Sequence, residues 1–190
     1  MASVGLVLGA GGIAGAAWHA AVLAALAEHG WDARKADLVV GTSAGSGTAA
    51  VLRHGIPPGD LLAGHLGEPM SDVGADHAER AGPIRIPAPP AGGRLPVPAA
   101  PHLAVRALVR PWRMRPMLAM TALLPPGRVP TAVIGDRIRR THDQPWPDAP
   151  TWICAVRLAD GRRVVFGRDV DDADLATAVE ASSAIPGFFE

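Results

Sequence analysis

The sequence predicts an α/β protein built around a parallel sheet, and three observations carry that prediction. Residues 4–8 and 37–40 are short apolar runs, and each runs straight into a glycine-rich turn followed by a helical pattern. Runs of this length suit strands buried in a parallel sheet, and strand–helix–strand alternation supplies the crossovers that parallel pairing needs. The third observation is composition: 190 residues, 48% hydrophobic and 19% charged, suffice for one core and are too apolar for a disordered chain. A single domain over residues 1–190 is expected.

Each element can be justified in chain order. After the first strand, residues 16–29 read as a helix on which Trp18, Val22 and Leu26 share a face, with Gly30 as its left-handed stop. The second strand leads into a helix over 44–54, ended by Gly55 and Pro57. From 56 to about 150 the chain reads as a loop-rich, Pro/Gly-rich insertion. Residues 82–101 hold seven prolines and three glycines, and the helical character regained over 102–124 is broken by Pro111 and Pro116. Residues 151–158 and 163–166 form a hairpin closed by a two-residue turn at Asp160-Gly161. Asp171 or Asp172 caps a last helix that runs to about Ser183, before Pro186.

Composition also excludes functions. Eighteen basic residues cancel eighteen acidic ones, so no electrostatic argument exists for a general nucleic-acid binder. The lone cysteine, Cys154, permits neither an internal disulfide framework nor a multi-cysteine metal site, and it reads as a core strand residue. Residues 1–27 carry no Asp, Glu, Lys or Arg and could be taken for a membrane span. Gly9, Gly11, Gly12 and Gly15 would weaken such a helix at its centre, and a signal peptide needs a basic start whereas the first basic side chain is Arg34. A soluble, cytoplasmic protein is expected.

Two glycine-rich turns carry the chemistry. Gly41-Thr42-Ser43-Ala44-Gly45 has the form G-x-S-x-G between an apolar strand and a helix. A nucleophile elbow needs this arrangement: the serine sits in a strained turn, so Gly41 and Gly45 must be small, and the Ala44 N–H is set toward a reacting carbonyl oxygen. Gly9-Ala10-Gly11-Gly12 opens the first helix, where backbone N–H groups and the helix dipole favour an anion. That anion is either a nucleotide pyrophosphate or the oxyanion of an acyl-transfer intermediate. Gly9, Gly11 and Ala14 fit the dinucleotide pattern, but the second strand ends in Gly41-Thr42-Ser43 without the acid that would bind ribose. No lysine follows either glycine cluster, which excludes a P-loop.

Other residues weigh less. His19 reads as a packed helix residue, and His54 lies eleven residues after Ser43, about 16 Å along a helix. His65, His77, His102 and His142 share no metal-ligand spacing, and neither metal nor organic cofactor is implied. Asp169, Asp171, Asp172 and Asp174 lack the calcium-loop pattern and read as a solvated helix start. Arg106, Arg110, Arg113 and Arg115 accompany Trp112, Met114, Met117 and Met120 with no acid from His102 to Leu124. Two readings stay open there: short helices with a solvated basic face, or a patch making peripheral contact with an anionic lipid surface.

The pairing of a glycine-rich loop after strand one with G-x-S-x-G after strand two resembles the patatin-like phospholipase family. The resemblance covers residues 5–55 and returns over 178–189, Ala-Val-Glu-Ala-Ser-Ser-Ala-Ile-Pro-Gly-Phe-Phe, which contains A-S-x-A-x-P. It implies a three-layer fold, with a mostly parallel central sheet and helices on both faces. It also implies a lipid or ester substrate, hydrolysed by a Ser-Asp dyad without a catalytic histidine. Carried over, Ser43 is the nucleophile, and Gly11 and Gly12 give oxyanion N–H groups. Ala10 stands where the family usually has glycine, and Ala14 where arginine is frequent. The family's Asp-Gly-Gly or Asp-Gly-Ala motif follows the A-S-x-A-x-P segment, so the base is expected beyond Glu190 and the chain is expected to be incomplete there. Asp160-Gly161 lies upstream and reads as the hairpin turn. Two alternatives remain: a lipid-binding fragment without catalysis, which a serine-directed probe would leave unlabelled, and a dinucleotide-binding domain indifferent to Ser43→Ala.

Overall fold

The computed structural model describes residues 3–83, 87–88, 97–114, 116–170 and 172–189. In chain order they form β1 (Gly5–Leu8), α1 (Gly12–Glu28), β2 (Leu38–Gly41), α2 (Ala44–Arg53), α3 (Pro58–Leu66), α4 (Asp72–Ala81), α5 (Pro101–Val109), α6 (Pro116–Thr121), α7 (Ala132–Thr141), β3 (Thr151–Val156), β4 (Arg163–Phe166) and α8 (Leu175–Ser183). The molecule is an α/β protein with one four-stranded sheet in the order β1-β2-β3-β4. The first three strands are parallel, and β4 turns back antiparallel on β3.

The strand order explains where the core sits. Both parallel crossovers, β1 to β2 and β2 to β3, step across the sheet in the same direction, and right-handed connections then fall on one face. Leu8, Val39 and Ile153 from that face are buried with Leu23 of α1, Leu52 of α2, Ile138 of α7 and Leu175 and Val179 of α8. The opposite face carries Val7 at 74% exposure and Val156 at 57%. Cys154, expected in the core, is half-buried on this second face, because Ile153 beside it takes the inward position. Nearer the β4 edge this face is covered, since Val165, which pairs with Cys154, is buried.

Several expectations are corrected by tertiary packing. On α1, Trp18, Val22 and Leu26 do share a face, but it is the outer one, and Trp18 is 69% exposed. The helix buries His19, Ala20, Leu23 and Ala24 instead. The stretch 56–150, expected to be loop-rich with helical character over 102–124, holds five short α-helices among its described residues. Asp60 of α3 is the reason two of them lock together: its carboxylate accepts the Ser71 N–H (2.9 Å) and hydroxyl (2.5 Å), and Ser71 caps α4. The hairpin loop is longer than two residues. The Arg157 N–H donates to the Arg162 carbonyl, and Gly161 takes the left-handed φ of +70° inside that pair. The cap of α8 is Asp174, whose carboxylate accepts the Thr177 N–H at 2.6 Å, displacing the start of the helix from Asp172; Asp171 lies outside the described residues.

Candidate active site

Between β2 and α2 the chain reverses within two residues. Ser43 carries that reversal at φ 53° and ψ −119°, and it is the one described non-glycine residue with positive φ. Such a conformation costs about 1–3 kcal/mol and persists only where its surroundings over-determine it. They do so here. A Cβ on Gly41 would lie 2.7 Å from the Gly45 oxygen and the Ser46 Cα, and one on Gly45 would collide with the Leu8 carbonyl. Two further bonds tie the turn to the end of β1: Thr42 N–H to Leu8 O and Gly45 N–H to Gly9 O, both 3.1 Å.

The glycine loop lies against this turn. Gly12 adopts φ +58°, and a Cβ on Gly11 would meet the Gly15 Cα at 2.6 Å, so the backbone must fold tightly into α1. A Cβ on Gly15 would in turn lie 3.8 Å from that of Ala44, which brings the first turns of α1 and α2 together. The sequence-predicted set of Gly11, Gly12, Gly41, Ser43, Ala44 and Gly45 therefore forms one cluster. Two helix starts converge on it, each with N–H groups that have no acceptor within the helix, and their dipoles add positive potential.

Ser182 belongs to this site and was missed by the sequence reading. Its hydroxyl accepts the Ser43 N–H at 2.8 Å and donates to the Cys154 carbonyl at 2.7 Å, so it clamps the elbow to β3. Its place inside the A-S-x-A-x-P segment was the available signal. A second brace comes from the Ser46 hydroxyl, which donates to the Ser43 carbonyl at 2.6 Å. Among the described residues no side chain hydrogen-bonds to Ser43 Oγ. Apolar side chains stand near both parts of the cluster, with Ile13 in the first turn of α1 and Ile185 three residues after Ser182, both more than half exposed.

The remaining candidates lie elsewhere. Asp160 stays in the hairpin loop, paired with Arg157 at 2.6 Å and accepting the Arg162 N–H at 3.0 Å; the Arg157 bond, chiefly, holds its carboxyl down at about 2. His19 meets the Thr48 hydroxyl between α1 and α2, and burial lowers its pKa. His54 is not isolated: its ring lies 4.7 Å from that of His142 and 5.2 Å from that of His77. Among the described residues no group of three or more His, Cys, Asp or Glu side chains is placed to hold a metal ion. No described helix is long and apolar enough to cross a membrane.

Residues 6–190 match the family profile described as patatin-like phospholipase. The chain belongs to the patatin-like phospholipase family. Membership supports lipid acyl hydrolysis at the level of the family. Among solved structures, a chain of the heterodimeric ExoU–SpcU complex from the type III secretion system of Pseudomonas aeruginosa is similar at 22% identity and a TM-score of 0.42. The match covers 97% of this patatin-like chain and 36% of the other, so the chain spans about a third of that neighbour's length. No curated protein sequence matches.

Proposed function

We propose that this patatin-like protein is a serine acyl hydrolase of lipid carboxylic esters. Ser43 Oγ attacks the ester carbonyl carbon while its proton passes to a carboxylate base. The oxyanion is held by the N–H groups of Gly11, Gly12 and Ala44. Collapse of the tetrahedral intermediate releases the alcohol, which takes up the proton, and water then hydrolyses the acyl-serine. The base of this reading is the aspartate of the family's Asp-Gly-Gly or Asp-Gly-Ala motif. No metal or organic cofactor enters any step.

The observation that carries the reading is the backbone of Ser43. A strained φ of 53° on a serine, with Gly41 and Gly45 cleared around it, has a ready explanation in presenting Oγ above the sheet end. The test is hydrolysis of carboxylic esters and phospholipids by the product of the complete coding sequence. Ser43→Ala is expected to lower the rate at least about 10³-fold while leaving the fold intact. Equal rates for the two proteins, or lipid binding without turnover by the unaltered one, would overturn the proposal.

A further inference from the structure

Away from the elbow, charge and apolar exposure concentrate in one part of the chain. Between Glu79 and Asp136 the sequence has eight arginines and no acidic residue, although the whole chain is neutral. Within this stretch α5 turns Leu103, Ala104 and Ala107 inward. It leaves Leu108 at 70% exposure and Val109 at 62%, and Trp112 just beyond it reaches 77%. Arg106, Arg110 and Arg113 are exposed on the same segment, and no ion pair holds any of them among the described residues. Arg115 and the Met117 side chain lie outside the described residues. Tryptophan beside arginines and aliphatic side chains is the composition that partitions into the interface of a bilayer.

The fold sets this segment at a particular end of the sheet. Gly41, which leads into the elbow, pairs with Ile153, and β3 runs on past that level to Val156 and the hairpin loop. The loop therefore projects from the end of the parallel strands that carries Ser43. It is also where α5 and α6 attach: the His102 ring nitrogen Nε2 bonds the carbonyls of Leu158 and Ala159 at 3.0 Å, and Leu118 packs on Gly161. Gly161 further borders a cleft of about 400 Å³ lined by Arg162, Arg163 and Arg168. Arg168 is paired with Asp169, and Arg157 in the loop with Asp160. That leaves Arg162 and Arg163 on one side of the loop and Arg106, Arg110 and Arg113 on the other as sites for phosphate headgroups beside apolar anchors.

We propose that the α5–α6 segment and the β3–β4 loop dock the protein on an anionic phospholipid bilayer, with Trp112, Leu108 and Val109 entering the interface. Nucleic acid would be served by the arginines alone and leaves these exposed apolar side chains unexplained. The inference rests on the lipid hydrolase reading for its purpose but not for its test.

The test is co-sedimentation with vesicles of phosphatidylcholine alone or with about a third phosphatidylglycerol. Binding is expected only to the anionic vesicles, weakening as salt rises, since about fivefold in affinity is expected per arginine. Arg106→Glu with Arg110→Glu is expected to reduce it more than about 20-fold, Arg→Lys at both positions to restore most of it, and Trp112→Ser to reduce it about tenfold. Equal binding to both vesicle types, or charge reversal without effect, overturns the proposal, as does tight binding of single-stranded DNA with no binding to vesicles. Hydrolysis of a monomeric, water-soluble ester should be unchanged in these variants. A protein that binds anionic vesicles but hydrolyses no ester would defeat the hydrolase reading and leave the docking surface standing.

Discussion

The elbow and the middle of the chain fold by different rules. Around Ser43, hard contacts dictate residue type: Gly41 faces Gly45 and Ser46 backbone, Gly45 faces the Leu8 carbonyl, and no larger residue fits either place. Over residues 56–150 the helices are short and joined by prolines, and they depend on partners distant in sequence, such as Asp60 with Ser71 or Arg139 of α7 with Glu180 of α8. Steric necessity leaves a mark on the sequence that can be read locally, and partnership across the fold leaves much less. The site lies in the legible region.

That contrast can be broken most directly at Ser43 itself. Ser43→Gly removes the nucleophile and the strain together, so turnover should fall at least about 10³-fold while stability rises by about 1 kcal/mol in urea unfolding. A loss of both would mean that the turn is not strained. Within one helix, Gly45→Ala should cost at least about 3 kcal/mol because its Cβ meets the Leu8 carbonyl. Gly47→Ala, which meets nothing within 4 Å, should gain about 0.5–1 kcal/mol from helix propensity. Similar outcomes at the two positions would dissolve the steric argument.

The middle region makes its own prediction through pH. Burial, chiefly, depresses the pKa of His77 to about 4 and lowers those of His54 and His142, with Arg80 and Arg137 adding to the effect at His77. The unfolded chain therefore binds more protons between about pH 4 and 6.5 than the folded one. Stability contributed by the neutral rings is complete above about pH 6.5 and is lost as pH falls toward 4, by about 2–3 kcal/mol for His77. His77→Leu should remove much of that slope in unfolding curves at pH 7 and pH 5. It also removes a buried Nδ1 that has no hydrogen-bond partner.

Smaller effects sharpen the boundary between the regions. Ser182→Ala should cost about 1–2 kcal/mol and lower kcat roughly tenfold with little change in KM, because the Ser43 N–H loses its acceptor. Ser183→Ala next to it should change both by little. Ser71→Ala should cost about 1 kcal/mol through the lost cap of α4, with no effect on turnover.

Much of the site was legible because its geometry admits few residues. Strand, turn and helix around Ser43 follow the sequence reading to within a residue or two at their ends. Ser182 escaped because a serine at a helix end has many uses, and only the fold shows it on the Ser43 N–H. The outward Trp18 stripe escaped for a related reason: periodicity marks an apolar face without saying which neighbour covers it. Of the helices in 56–150, the short pieces over 102–124 were legible, whereas α3, α4 and α7 were hidden by the proline and glycine content of the stretch. Pro116, which reads as a break, starts a helix, as Pro58 and Pro101 do.

The central claim is that Ser43 is an activated nucleophile. It is tested most directly by treating the product of the complete coding sequence with a fluorophosphonate and mapping the adduct by mass spectrometry. The expected result is one adduct, on the peptide containing Ser43, lost in Ser43→Ala and prevented by prior exposure to a lipid ester. A folded protein that stays unlabelled, or one labelled at another residue with Ser43 untouched, would contradict it.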